Sequence, residues 1–295
     1  METTSRPGRR AYAPGLNILA KKLAKLVLNQ ASRLWVALLR LLGVVDFPVP
    51  TYTQMLGIGS HSIRHYYESG ITCFLPIAVA ALQAGLDLRA EIRILDFGCG
   101  AARQLLHFTR RFPAPRYYAC DVNEPAVRFV QRHYPQVQAW RNAFRPPLPF
   151  EPVYFDMVYS VSVFSHLGPE DQRLWLAELA RITRPGGCCF LTTEGFTALG
   201  QVAVAMLPAD LAARRETLAT AGVIFQDYAD LAAHKASERR VRFGSKYLGI
   251  EGRYGTTLLA PDYIRGHWAK FGFAVETVLE GVIDYRQDLV VLRRN

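Results

Sequence analysis

The feature that most constrains this chain is a change of rhythm at residue 92. From there to residue 193, short apolar runs (92–97, 116–120, 136–140, 155–160 and 188–193) alternate with stretches of helical period (102–111, 124–133 and 170–183). Pro125 falls in the first turn of the second helix, and Pro185-Gly186-Gly187 breaks the chain before the last run. Strands alternating with helices of this length make a mainly parallel sheet, because each crossover needs a helix to carry the chain back. The expected class is therefore α/β, a doubly wound sheet with helices on both faces.

The flanks read differently. Residues 1–15 look like an arm, and residues 16–42 form one amphipathic helix. Leu16, Leu19, Leu23, Val27, Leu34, Leu38 and Leu41 share a face at 100° per residue, with Lys21, Lys22, Lys25, Asn29, Arg33 and Arg40 opposite. Gly43 and Pro48 end it. Residues 51–90 read as a helical lead-in, with Pro76 opening an Ala/Leu-rich segment. Residues 197–261 interrupt the alternation with a polar helical insert and a Gly/Tyr-rich stretch. A helix at 261–271 and strands at 274–279 and 289–292 close the chain. The organisation expected is a basic arm and helix (1–50), a lead-in (51–90), a core (91–196 and 262–295) and an insert or lid (197–261).

The 295 residues carry a net charge of +10, which raises a nucleic-acid or membrane partner. The distribution narrows that. Residues 1–50 hold eight Lys/Arg against Glu2 and Asp46, while the other 245 residues hold 27 basic and 23 acidic groups. A nearly balanced core with no recognised RNA-binding module argues against nucleic acid. The basic helix at 16–42 points instead to peripheral membrane or protein contact, or to docking of its apolar face on the rest of the chain. The longest candidate span, 34–45, is interrupted by Arg40 and too short to cross a bilayer. No signal peptide is visible at the charged start.

Half the residues are hydrophobic, enough to bury a sizeable core. Cys73, Cys99, Cys120, Cys188 and Cys189 form no C-x-x-C pair and none lies at zinc-ligand spacing with His. Cys120, Cys188 and Cys189 fall in apolar runs, as small buried hydrophobes do. A reducing cytoplasm fits this pattern, and neither a disulfide scaffold nor a metal site is expected.

The sharpest local signal is Ile94-Leu95-Asp96-Phe97-Gly98-Cys99-Gly100-Ala101-Ala102, a strand running into glycines and then a helix. Glycine permits a tight turn and close approach of a ligand, and a helix start offers unpaired N–H groups. The next strand ends in Asp121, about 20 residues after Gly100, where an acidic side chain can accept both hydroxyls of a ribose. Gly98 and Gly100 have dinucleotide-fingerprint spacing, but the third glycine is missing.

Four ordered pieces now resemble the class I S-adenosylmethionine-dependent methyltransferases. They are Leu95-Asp96-Phe97-Gly98-Cys99-Gly100; Tyr118-Ala119-Cys120-Asp121; Phe155-Asp156-Met157-Val158-Tyr159-Ser160 with Val163-Phe164-Ser165-His166-Leu167; and the run from Leu179 to Gly187. The resemblance covers residues 91–196 and the closing strands. It implies a Rossmann-like seven-stranded sheet with an antiparallel last strand. Tyr67-Glu68-Ser69-Gly70, Pro147-Leu148-Pro149-Phe150, Tyr254-Gly255-Thr256 and Gln287-Asp288 resemble bacterial members found beside glycan and secondary-metabolite genes.

By that resemblance the cofactor is S-adenosylmethionine. Gly98, Cys99 and Gly100 would wrap its methionine portion, Asp96 would order its amino group and Asp121 would hold the ribose. Val122 would flank the adenine, Asn142 and Ala143 would meet the adenine edge, and Ser160 and Val161 would lie beside the sulfonium. Ala102 replaces the family's third glycine; since Ala resists positive φ, the turn is expected to close one residue earlier. His166 is the candidate general base, with a packed histidine at a helix start as the competing reading. His267 reads as structural, and Tyr228, Tyr247 and Tyr254 either contact substrate or pack. Asp156 reads as structural. The expected reaction is methylation of a hydroxyl on a small molecule or glycan, with the insert and N-terminal helices shaping the acceptor pocket. N-methylation is the close alternative; a nucleic-acid methyltransferase and a catalytically silent scaffold are more distant ones. No acidic cluster suggests Mg²⁺. The sequence sets no oligomeric state.

Overall fold

A computed structural model of the protein describes residues 14–202, 208–227 and 253–295. The chain divides into two compact units between Ser62 and Ile63, so the helical lead-in is shared between them.

The first unit holds α1 (Pro14–Leu41) and α2 (Tyr52–Gly57). Helix α1 runs 28 residues and ends where Gly43 adopts a left-handed φ of 69°. There the Val44 N–H reaches back to the Leu39 carbonyl at 2.8 Å, satisfying an end-of-helix acceptor. Helix α2 starts with a capping box in which Thr51 and Gln54 bond each other's backbone N–H. Asn29 clasps Thr53 twice, donating to its hydroxyl and accepting from its N–H. The side of α1 bearing Asn29 thus meets α2 within this unit and also carries buried Val36, while the Leu23, Val27, Leu34, Leu38 and Leu41 stripe is exposed.

The second unit opens with α3 (Ile63–Gln83), which continues through Pro76 rather than restarting there. An interior proline costs a helix roughly 3 kcal/mol. Burial of Cys73, Phe74 and Ile77 around it offsets that, at about 1.5–3 kcal/mol for each large apolar side chain. The alternation then follows: β1 (Arg93–Phe97), α4 (Leu105–Arg111), β2 (Arg116–Asp121), α5 (Glu124–His133), β3 (Val137–Arg141), β4 (Phe155–Ser160), α6 (Pro169–Ile182) and β5 (Thr183–Glu194). Next come α7 (Phe196–Val202), α8 (Pro208–Ala221), β6 (Val223–Asp227), β7 (Gly255–Leu259), α9 (Pro261–Trp268), β8 (Phe273–Ile283) and β9 (Gln287–Arg294).

The central sheet reads β3-β2-β1-β4-β5-β9-β8, with β1 to β5 parallel and β9 antiparallel to both its neighbours. These are the seven strands and the antiparallel closing strand expected. Among the described residues the sheet nevertheless has nine strands. The insert contributes β6 and β7, an antiparallel pair that joins β5 at Glu194↔Leu258, beyond the end of its pairing with β4. Those strands were hidden in what read as a helical and Gly/Tyr-rich stretch. Tyr228 and Tyr247 lie outside the described residues, as does the arm before Pro14.

Pro185-Gly186-Gly187 does not end the last parallel strand. Pairing passes from Phe155↔Thr183 to Met157↔Cys188, so the intervening residues bulge outward. A Cβ at Gly187 would come within 2.9 Å of the Arg184 and Asp156 carbonyls, so the bulge needs glycine there. Asp156 is structural: it accepts the Arg93 N–H at 2.6 Å and pairs with Arg184. All five cysteines are free and buried.

Candidate functional site

Parallel α/β sheets present ligands at the carboxyl ends of their strands, where loops can diverge. Here β1 ends in the run from Gly98 to Gln104, which is wound as turns, so α4 begins only at Leu105. Two backbone donors, the N–H groups of Gly98 and Cys99, both bond the Cys120 carbonyl at 2.9 and 3.0 Å. This folds the loop back over the end of β2. Gly98 has φ of 83°, and a Cβ there would sit 2.2 Å from the Val163 side chain. Gly100 also has positive φ, at 50°.

Ala102 corrects an expectation. The turn does not close one residue earlier; Ala102 itself takes φ of 62°. Its methyl group is fully buried, and its N–H bonds the Cys99 carbonyl at 2.9 Å. The Ala101 carbonyl beside it receives the Tyr66 hydroxyl at 2.8 Å. Such tertiary contacts hold the residue in a region that alone costs roughly 1–2 kcal/mol.

Asp121 ends β2 and organises the loop. Its carboxylate accepts the Gly100 N–H at 2.8 Å and the Asn123 N–H at 2.7 Å. Burial raises its pKa, and those two N–H bonds oppose the rise. Across the strand end, the Asn142 N–H donates to the Asp121 carbonyl at 3.2 Å. The Asn142 side chain turns its NH₂ onto the Ala143 carbonyl, leaving Oδ1 buried with no hydrogen-bond partner. Val122 follows Asp121, and its carbonyl accepts from Arg141 at 3.1 Å.

Asp96 is buried within β1, and its pKa is pushed up to about 8. Burial is the main cause; the Tyr159 hydroxyl, donating to its carboxyl at 3.0 Å, opposes the shift, and nearby Asp121 adds to it. Asp96 and Tyr159 are register partners in the β1–β4 pair. At the end of β4, the buried Ser160 hydroxyl donates to the Phe97 carbonyl at 2.8 Å, pinning this strand end to the β1 loop. Buried Val161 follows, then Ser162 at φ of 59°, held by Thr192 and Gln287. Burial holds the Cys99 thiol pKa well above its usual range.

The structure therefore gathers Asp96, Gly98, Cys99, Gly100, Asp121, Val122, Asn142, Ala143, Ser160 and Val161 at the ends of four adjacent strands. His166 is anchored separately, to the inserted strand β7. Its Nδ1 lies 2.9 Å from the Gly255 carbonyl, which can only accept, so Nδ1 carries the proton and Nε2 the lone pair. Burial lowers its pKa, and the Gly255 bond and Glu194 partly oppose this. Tyr254 packs on the His166 ring at 4.9 Å, while His267 stacks on Tyr263.

Several supporting contacts gave no warning in the sequence. Tyr66 and Tyr159 hold the loop and Asp96 from other elements, and only the folded register brings them there. Buried Glu194 pairs with Arg286, and Asp288 accepts the Gly281 N–H at 2.8 Å. The motif around Tyr67–Gly70 has a packing reason: a Cβ at Gly70 would meet the His107 ring at 2.5 Å and the Arg103 carbonyl at 2.7 Å.

Residues 94–187 match the family of methyltransferase domains. Among curated relatives, the chain is 31% identical over 112 residues to the malonyl-[acyl-carrier protein] O-methyltransferase of Hahella chejuensis, covering 37% of this chain and 39% of that protein. It is 30% identical over 122 residues to a tRNA N(3)-cytidine methyltransferase of Gallus gallus, covering 38% and 33%. The match thus spans well under half the length of these relatives. A solved structure from Pyrococcus horikoshii shares the fold at a TM-score of 0.50 and 14% identity, covering 78% of this chain and 91% of that one. The family match over residues 94–187 and the shared fold support a class I S-adenosylmethionine-dependent methyltransferase domain in that part of the chain. S-Adenosylmethionine is the cofactor that such a domain implies.

The site's own features fit that group. The glycine turn, the strand-end carboxylate and the unpartnered Asn142 Oδ1 lie together, offering a close backbone approach, a ribose acceptor and an acceptor for an amino group.

Proposed function

We propose that this chain transfers a methyl group from S-adenosylmethionine to a hydroxyl of a small molecule or glycan, in a biosynthetic reaction of secondary metabolism. The observation carrying the cofactor half is the hydrogen-bonded array joining Gly98, Cys99 and Gly100 to β2 through Cys120 and Asp121, with the Asn142 Oδ1 beside it. Asp121 would hold the ribose, Asn142, Ala143 and Val122 the adenine, and Asp96 the amino end, with Ser160 and Val161 flanking the reacting group.

When bound, the cofactor supplies a methyl group already activated by its sulfonium. The protein's part is then alignment, which can supply roughly 7–11 kcal/mol of the barrier. A hydroxyl acceptor must also lose a proton. His166 is suited to accept it, since its depressed pKa keeps the ring neutral near pH 7 and the Nδ1–H bond to Gly255 puts the lone pair on Nε2. The name of the Hahella relative, an O-methyltransferase, favours oxygen over nitrogen. The β6–β7 pair would wall the acceptor side. Five free thiols suit a reducing, cytoplasmic setting.

The test is product analysis with methyl-labelled cofactor and candidate acceptors. Label on oxygen is expected; label on nitrogen would move the assignment to N-methylation. His166→Gln should lower kcat by about 10²–10⁴-fold with cofactor affinity unchanged. A folded protein that binds no S-adenosylmethionine by calorimetry would overturn the reading in favour of a scaffold role. The Gallus relative's name favours tRNA as a second reading; tight, steeply salt-dependent tRNA binding followed by labelling would establish it.

A further inference from the structure

Helix α1 turns its less apolar side inward. Asn29 is held by Thr53 within the N-terminal unit, Val36 is buried, and Lys25, Ser32 and Leu39 on the same side are half-buried. The opposite side carries Leu23, Val27, Leu34, Leu38 and Leu41, with Leu34 74% and Leu41 85% exposed. Trp35 stands at one border of this stripe, 56% exposed, and exposed Arg33 at the other. Soluble monomers rarely leave a contiguous apolar surface of this kind facing water.

We propose that this stripe docks on an anionic lipid bilayer, with α1 lying in the plane of the interface. The charge pattern selects that occupant. No acidic residue occurs between Glu2 and Asp46, whereas Lys21, Lys22, Lys25, Arg33 and Arg40 all fall within the helix. A second copy seated on the stripe would bring another set of cations with no helix carboxylates to balance them. An anionic headgroup layer over hydrocarbon takes the leucines into its apolar part and gives exposed Arg33, at the border of the stripe, an anionic partner. Trp35 is an amphipathic ring suited to the headgroup level. No helix among the described residues is long and apolar enough to cross a membrane, which agrees with an interfacial position rather than a span.

The full chain should co-sediment with vesicles of phosphatidylcholine and phosphatidylglycerol, weakly with phosphatidylcholine alone, and should be released by added salt. Tryptophan emission should shift to the blue on binding, and Trp35→Phe should remove most of that shift. Joint replacement Leu34→Glu and Leu41→Glu should weaken vesicle binding at least about tenfold. Both positions are exposed, so the thermal transition of the variant should match the parent. Arg33→Glu should weaken binding to the anionic vesicles only. The proposal is overturned if anionic vesicles fail to retain the chain, or if the double leucine variant binds them as well as the parent. It is equally overturned if light scattering shows a dimer that the leucine variant dissolves and no vesicle binding occurs.

Discussion

Asp96 is buried beneath the glycine turn with a pKa near 8, so in the ligand-free fold it keeps its proton far longer than the unfolded chain does. Its contribution to stability is therefore complete below about pH 4 and is lost as pH rises toward about 8. Asp96→Asn keeps an acceptor for the Tyr159 hydroxyl and does not ionise. Its melting temperature should track the parent near pH 4 and exceed it by a margin that grows up to pH 8. Asp121 acts on the ligand instead: Asp121→Ala should weaken S-adenosylmethionine binding by at least about 1.5 kcal/mol in calorimetry. Ala102 gives a third residue-scale test. Ala102→Gly trades a buried methyl for relief of strain and should change stability by less than about 1 kcal/mol. Ala102→Val should cost about 2 kcal/mol or more in urea denaturation, because a β-branched side chain resists φ of 62° and the space is full. The residue types at these positions were legible in the sequence. The conformation of Ala102 was not, since it depends on Tyr66 holding the neighbouring carbonyl from 35 residues away.

At the scale of elements, one latch stands out between α6 and the segment before β4. Arg181 donates to both oxygens of buried Glu178 and to the Leu148 and Phe150 carbonyls, while Glu178 accepts the Leu148 N–H at 2.6 Å. Arg181→Ala would take the cation from a buried carboxylate and the side-chain donor from the Phe150 carbonyl, and should cost about 2–3 kcal/mol in urea denaturation. The Pro147–Phe150 motif that resembled a family signature thus serves as the other half of a structural clasp. Element order and type from residue 93 to 194 followed directly from hydrophobic period, because β1, β2, β4 and β5 are each built around a short apolar stretch that the sheet buries. Strands β6 and β7 were hidden. Their partly polar residues pair mainly with each other, and β7 meets β5 at a single position, so no long apolar run marks them. His166 gained its meaning from that pair, since the carbonyl that sets its tautomer belongs to β7.

The whole molecule consists of two compact units, and its charge is divided between them unevenly. Among the described residues, 63–295 contain every strand and every residue of the candidate cofactor site. Expressed alone, they should bind S-adenosylmethionine within about threefold of the full chain, a change under about 1 kcal/mol, as measured by calorimetry. Local period and glycine spacing determined the α/β class, the order of the central elements and the strand ends at which a ligand would sit, because burial on two faces imprints itself directly on a strand's composition. They also determined that the cationic excess lies before Thr51. Only the tertiary structure decided the strained turn at Ala102, the Tyr159 partner of Asp96, the added β6–β7 pair and the inward side of α1. Each of these rests on contacts between residues distant in the chain, and a one-dimensional pattern carries no record of which distant groups will satisfy a buried carbonyl, carboxyl or helix face.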